Sequence, residues 1–272
     1  MQRRSQMLRQ DGRSIAFVPT MGFLHEGHLS LMREGRQLAD ILVVSIFVNP
    51  TQFAPSEDFA TYTRDMEKDR RLTEKVPVDI LFTPDERAIY VDGCQTFVTP
   101  QALAKRMCGL SRPIFFQGVA TVVAKLFHIV NPHVAVFGEK DFQQLTIIRR
   151  MVKDLNFDVN IVGAATVRES DGLAMSSRNA YLKPGQRAAA LSLSQSLREA
   201  QAQVAAGLIQ AEQIVAGARA RIGAHPETAI DYIVIVDPET LEEVAVIDRP
   251  VRMAMAVAVG TTRLIDNMPL VP

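Results

Sequence analysis

The strongest constraint on this chain is the stretch 15–38, which reads IAFVPTMGFLHEGHLSLMREGRQL. Ile15, Ala16, Phe17 and Val18 make the short apolar run that a fully buried parallel strand needs, and Pro19 with Gly22 is expected to end it. From His28 onward, Leu29, Met32 and Leu38 recur at roughly helical spacing, leaving Arg33, Glu34, Arg36 and Gln37 to face water. The stretch reads strand, turn, helix. The first N–H groups of such a helix are expected to be unpaired and its dipole is positive there, which makes the turn a seat for phosphate.

The same alternation continues downstream. Residues 41–48 (ILVVSIFV) read as an interior strand, 64–75 as a charged surface helix, and 79–82 as a third strand. A helix over 117–130 stops at Pro132, a fourth strand covers 134–137, a helix covers 142–155 and a fifth strand covers 158–162. Strands alternating with helices in this way predict an α/β chain built on a Rossmann-like doubly wound parallel sheet. After about residue 166 the pattern changes: a polar loop over 167–179, helices over 185–206 and 211–222, then strands over 230–236, 251–259 and 263–266. The expected organisation is a first domain over 1–166 and a smaller C-terminal α+β domain over 167–272.

In an open parallel sheet, ligands bind beyond the carboxyl ends of the strands. The turn at 20–28 follows strand one, 49–53 follows strand two and 138–141 follows strand four, so all three fall on one edge. His25 and His28 in the first turn can donate to oxygens that gain charge during phosphoryl or nucleotidyl transfer, and Gly27 lets the backbone approach a ligand closely. In the third turn Gly138 permits close approach and Lys140 offers a point charge for phosphate. Glu139 and Asp141 could hold a ribose or a metal, or Asp141 could simply cap the next helix. Gln52 and Gln144 suit the hydroxyl and carboxylate groups of a small acid, or are ordinary loop and surface glutamines. Ser176, Ser177 and Arg178 can meet phosphate oxygens, or form a solvated loop ahead of a helix.

The string MGFLHEGH at 21–28, preceded by Pro19 and Thr20, resembles the nucleotide-binding signature of the pantothenate synthetase family, within the HxGH nucleotidyltransferase group. The string GEKD at 138–141, followed by Gln143 and Gln144, and MSSR at 175–178 match the same family in the same order. The resemblance implies an ATP-dependent ligase that joins pantoate to β-alanine through a pantoyl adenylate, releasing pyrophosphate and AMP with the aid of Mg²⁺. It implies an ATP site formed by Met21, Gly22, Phe23, Leu24, His25, Glu26, Gly27, His28, Gly138, Glu139, Lys140, Asp141, Val167, Met175, Ser176, Ser177 and Arg178. It also implies that Gln52 contacts pantoate and β-alanine, that Gln144 contacts pantoate, and that His25, His28 and Lys140 are catalytic, with His28 as proton donor. The second domain would act as a lid, and the enzyme would be a cytoplasmic homodimer. One segment departs from the family pattern. Relatives usually read Arg-Pro-Gly-His-Phe where this chain has Arg112, Pro113, Ile114, Phe115 and Phe116, and His133 stands where an aspartate is common.

Bulk composition narrows the alternatives. Thirty basic residues balance thirty acidic ones, at a sequence pI near 7.0, whereas a tRNA-binding relative of the HxGH group would need a positive surplus. A different nucleotidyltransferase or an ATP-sensing module stays compatible with the three turns. Cys94 and Cys108 are too few for a disulfide framework and too far apart for a metal knuckle, as expected of a reducing compartment. The longest apolar runs fall well short of the roughly 20 residues that span a bilayer, and no secretion signal is read.

Overall fold

The computed structural model describes residues 1–53 and 63–272 of the 272-residue chain. In order, the elements are α1 (Gln2–Gln10), β1 (Ile15–Thr20), α2 (Glu26–Leu38), β2 (Ile41–Ile46), α3 (Met66–Thr73), β3 (Ile80–Phe82), α4 (Glu86–Ile89), α5 (Cys108–Ser111) and α6 (Phe115–Val130). They continue with β4 (Val134–Gly138), α7 (Phe142–Asp154), β5 (Asn160–Ala164), α8 (Arg187–Ala205), α9 (Ala211–Gly223), β6 (Thr228–Val236), β7 (Val251–Val259) and β8 (Thr262–Leu270). Short 3-10 turns lie between several of them, among them Pro50–Gln52, Glu139–Asp141 and Ser177–Tyr181.

The chain divides into two compact units. The first comprises Met1–Ala104, Arg112–Glu139 and Gln144–Ala165, and the second comprises Lys105–Ser111, Lys140–Gln143 and Thr166–Pro272.

The first unit is a five-stranded, all-parallel sheet in the order β3-β2-β1-β4-β5. Successive residues of β1 point to opposite faces, and the two faces bury different partners. Ile15 and Phe17 join Val119, Val123, Leu126 and Phe127 of α6 and Leu145 and Ile148 of α7 in one cluster. Ala16 and Val18 join Leu29 and Met32 of α2 with Leu42 and Val44 of β2 in the other. This two-sided burial is why β1 carries no polar residue before Thr20, and each large side chain removed from water contributes about 1.5–3 kcal/mol.

β1 runs on through Pro19 to Thr20, beyond the expected stop. Proline is tolerated there because β4 is registered only against Ala16 and Phe17, so at Pro19 the strand has left its β4 neighbour and needs no N–H on that side. The helix over 115–130 ends as its sequence suggests, on Asn131 in the left-handed conformation with φ 45° ahead of Pro132.

The second unit is a three-stranded antiparallel sheet, β6-β7-β8, covered by α8 and α9. β8 is longer than its apolar run 263–266 suggested. It lies at the sheet edge, where Pro269 costs no ladder bond on its open side. Among the described residues no helix is long and apolar enough to cross a membrane.

Candidate active site

In the first unit, the turns that follow β1, β2 and β4 emerge from the carboxyl ends of three adjacent parallel strands. Met21–His28, Gln52, Gly138 and Glu139 therefore share one sheet edge, as the order of motifs predicts. Gln144 lies near the start of α7, partly exposed.

The turn after β1 is pinned from several sides. Thr20 Oγ1 donates to the Ser45 carbonyl at 2.7 Å and accepts from the Gly22 N–H at 3.3 Å. Gly22 and Phe23 both have positive φ, 82° and 50°. Leu24 is buried in the sheet core, so its side chain serves packing while its main chain borders the turn. Glu26 is exposed and ion-paired with Arg33, whose hydrogen bond holds its carboxyl below the usual range.

α2 begins at Glu26, two residues earlier than the apolar spacing suggested, and His25 is its N-cap. His25 Nδ1 accepts the Gly27 N–H at 3.2 Å, and His28 Nδ1 accepts the His25 N–H at 3.3 Å, closing a capping box. The His28 and Leu29 N–H groups both donate to the His25 carbonyl. The helix start is thus not the expected row of bare amides. Histidine side chains and the His25 carbonyl satisfy it instead.

A backbone N–H can only donate, so each histidine Nδ1 must be an acceptor and each neutral ring carries its proton on Nε2. The two rings lie 4.1 Å apart between centroids, inclined at 42°. Each imidazole takes the polarity of a helix-start amide at one nitrogen and offers a donor at the other.

The turn after β2 is a 3-10 turn held by a buried amide network. Asn49, 1% exposed, donates through Nδ2 to the Gly118 carbonyl at 3.1 Å and to Gln52 Oε1 at 3.4 Å. Its Oδ1 accepts from the Tyr90 hydroxyl at 2.8 Å and from Thr51 Oγ1 at 3.0 Å. Burial pushes the Tyr90 phenol above its ordinary value, which keeps it a donor. Gln52 is buried, unlike a surface glutamine. Neither Asn49 nor Tyr90 stands out in the sequence as a site residue, because the hydrogen bond that joins them spans 41 residues of chain.

In the second unit, Lys140 and Asp141 are partly exposed beside Gln143, which is buried. Gln143 clamps the segment Lys105–Ser111, accepting from the Cys108 N–H at 3.1 Å and donating to the Arg106 carbonyl at 2.7 Å. Asn267 Nδ2 donates to the Lys140 carbonyl at 2.9 Å. Its neighbour Asp266 is buried and forms a bidentate pair with Arg168 at 2.7 and 3.0 Å. Arg168 bridges to Ala174, and the Met175 N–H donates to the Val167 carbonyl at 2.9 Å, so Val167 and Met175 face each other. Ser176 caps the following 3-10 turn through its hydroxyl, which accepts from the Arg178 N–H at 3.2 Å. One strand, β8, therefore braces both the Lys140 segment and the hairpin that carries Val167, Met175, Ser176, Ser177 and Arg178.

Comparison with known proteins decides between the nucleotide-dependent readings. The profile described as pantoate-beta-alanine ligase matches residues 1–269. The chain belongs to this ligase family. It is 56% identical over 269 residues to pantothenate synthetase of Desulfatibacillum aliphaticivorans, covering 99% of this chain and 96% of the relative. Pantothenate synthetase of Thermotoga petrophila is 52% identical over 267 residues, covering 98% and 95%. The crystal structure of pantothenate synthetase from Thermus thermophilus superposes with a TM-score of 0.93 at 43% identity, covering 98% of each chain. That of pantoate-beta-alanine ligase from Francisella tularensis, complexed with beta-gamma ATP and beta-alanine, gives 0.80 at 32% identity, covering 98% of this chain and 94% of the other.

Within this ligase family the two departures acquire a physical account. Phe115, where relatives usually have histidine, lies under the Arg112 guanidinium at 3.8 Å from the ring centroid and edge-on to Phe116 at 4.9 Å. Arg112 in turn donates to the Gln52 carbonyl at 3.3 Å. His133, where an aspartate is common, accepts the Ile15 N–H through Nδ1 at 2.9 Å and so keeps an acceptor at the head of β1.

Proposed function

We propose that this pantoate–β-alanine ligase forms pantothenate in two steps at the turn after β1. In the first, a pantoate carboxylate oxygen attacks the α-phosphorus of ATP, the bond to the β-phosphate bridging oxygen breaks, and pyrophosphate leaves. In the second, the β-alanine amine attacks the acyl carbon of the adenylate and AMP departs, the amine losing its proton. ATP and β-alanine are taken as ligands because the Francisella tularensis ligase holds a beta-gamma ATP and beta-alanine.

The observation that supports the reading best is the histidine pair. Nδ1 of both rings is committed to backbone N–H groups, so His25 and His28 each direct a neutral Nε2–H donor. Preorganised donors aimed at oxygens that gain charge lower the barrier without reorganising during the reaction. His28 acts here as a hydrogen-bond donor, because an imidazolium would have to give up the capping bond. Lys140 is assigned to the phosphates, with Gly138, Glu139 and Asp141 as its turn. Val167, Met175, Ser176, Ser177 and Arg178 are assigned to the rest of the nucleotide. Gln52 is assigned to pantoate and β-alanine, and Gln144 to pantoate.

Among the described residues no group of three or more histidine, cysteine or acidic side chains could hold a metal by itself. Glu139 and Asp141, carboxylates of the turn after β4, are hard oxygen donors of the kind Mg²⁺ takes one or two at a time, and would hold a Mg²⁺ carried on the triphosphate. When bound it neutralises phosphate charge.

The test is product analysis with ATP, Mg²⁺ and pantoate, with and without β-alanine. Pyrophosphate in both reactions, with AMP and pantothenate released together only when the amine is added, is the expected result. ADP as product, or no dependence on pantoate, would overturn the reading.

A further inference from the structure

We propose that Asp69 is the residue that positions the histidine turn, a role that rests for its catalytic consequence on the reading just given. Asp69 lies on α3 and is 1% exposed. Its Oδ2 accepts the Phe23 N–H at 2.8 Å and its Oδ1 accepts the Leu24 N–H at 2.7 Å, across 46 and 45 residues of chain. A carboxylate withdrawn from water is costly unless each oxygen finds a donor, and here both are met by consecutive amides of the signature turn.

The turn and the carboxylate are fitted to each other. Gly22 and Phe23 are both left-handed, and this brings the two following amides round to one side. A Cβ on Gly22 would sit 2.9 Å from Asp69 Oδ2 and 3.0 Å from Ile46 Cγ2. Phe23, a bulky residue at φ 50°, is held in a conformation it would leave if its N–H were released. Lys68, next to Asp69, places its ammonium 4.5 Å from the Phe23 ring centroid and closes the other side.

The residue after Leu24 is His25, whose extended backbone, φ −143° and ψ 177°, makes it the N-cap of α2. Asp69 thus sets the path of the chain into the capping box, and through it the direction of both imidazoles. It reaches the Phe23 and Leu24 amides, so these two donors are committed to protein and the phosphate donors must come from elsewhere in the turn.

Asp69→Asn tests this at constant volume: one amide keeps an acceptor while the other faces an NH₂. Asp69→Glu keeps both oxygens and the charge. Thermal midpoint, kinetics of pyrophosphate release and ¹⁵N shifts of the ring nitrogens of the five histidines are measured for each. Asp69→Asn is expected to lower kcat/KM for ATP by about 10²-fold, as misplacement of a catalytic group by about an ångström does, with the KM for pantoate within about threefold of wild type. It is also expected to move the Nδ1 and Nε2 signals of His25 and His28 but not those of His128 or His225. Asp69→Glu should fall between it and wild type, and serves alone if Asp69→Asn does not fold. Unchanged histidine signals and ATP kinetics in a folded variant of lowered midpoint would reduce Asp69 to packing and overturn the proposal. A wild type that releases no pyrophosphate would instead sink the functional reading, while the histidine signals would still report on Asp69.

Discussion

Gly118, in the first turn of α6, lies directly against the main chain of Thr51: a Cβ added to Gly118 would sit 2.3 Å from the Thr51 carbonyl oxygen. The turn that carries Gln52 is therefore seated on the helix backbone itself, and Asn49 hydrogen-bonds the Gly118 carbonyl from the end of β2. Gly118→Ala must push the two main chains apart. The expected cost is about 1–3 kcal/mol in urea unfolding, as for other overpacked sites, together with a raised KM for pantoate and little change in the KM for ATP. Equal shifts in both constants would contradict the assignment of Gln52.

His133 gives the first unit a pH dependence. Partial desolvation of the ring, with a smaller contribution from the Arg9 charge, holds its pKa below the ordinary 6.5, while Asp158 and Asp40 oppose the shift. The unfolded chain then takes up a proton on this ring before the folded protein does, so the stability it confers is complete above pH 6.5 and is lost as pH falls toward the folded pKa. Protonation also removes the acceptor for the Ile15 N–H. His133→Asp retains an acceptor and should flatten the stability profile below pH 6.5. Denaturation midpoints across that range check it, and an unchanged slope would exclude His133 as the cause.

Much of the first unit is legible in the sequence because its information is local. The apolar runs of β1 and β2, the helical spacing of α6 and the order of the three turns are all properties of short stretches. Elsewhere a neighbour decides. Pro19 belongs to the strand because β1 has by then parted from β4, which is registered only against Ala16 and Phe17. α2 starts at Glu26 because a histidine fills the cap that serine, threonine, aspartate or asparagine usually takes. α1 leaves no apolar period to read, because Ser5 is its one buried residue. The Asp69 carboxylate cannot be tied to Phe23 and Leu24 from sequence, since the contact spans more than forty residues.

Phe115 holds Arg112 with its ring face, and Arg112 holds the Gln52 carbonyl. Phe115→Leu removes the ring while keeping an apolar side chain. A stacked guanidinium contributes about 0.5–2 kcal/mol depending on how dry the site is, so the KM for pantoate should rise about 2- to 30-fold, with Phe115→Tyr close to wild type. Identical kinetics for the leucine and tyrosine variants would refute the role.

The Arg168–Asp266 pair braces the second unit. With Asp266 2% exposed and Arg168 21% exposed in their side chains, Asp266→Ala leaves a partly buried guanidinium without its carboxylate. It should cost about 3–5 kcal/mol in denaturant unfolding. Because Asn267, next in the chain, anchors the Lys140 carbonyl, the rate of pyrophosphate release should fall as well. Loss of stability with the rate preserved would separate β8 from the Lys140 segment.

The most direct measurement is a rapid-quench assay of pyrophosphate from ATP, Mg²⁺ and pantoate without any amine, comparing wild type with folded His28→Ala. Wild type should give a burst approaching one pyrophosphate per site. Removing the Nε2–H donor should slow that burst by about 10²–10³-fold, as loss of one preorganised donor does in acyl transfer. A His28→Ala burst at the wild-type rate would contradict the central role of the histidine-capped turn.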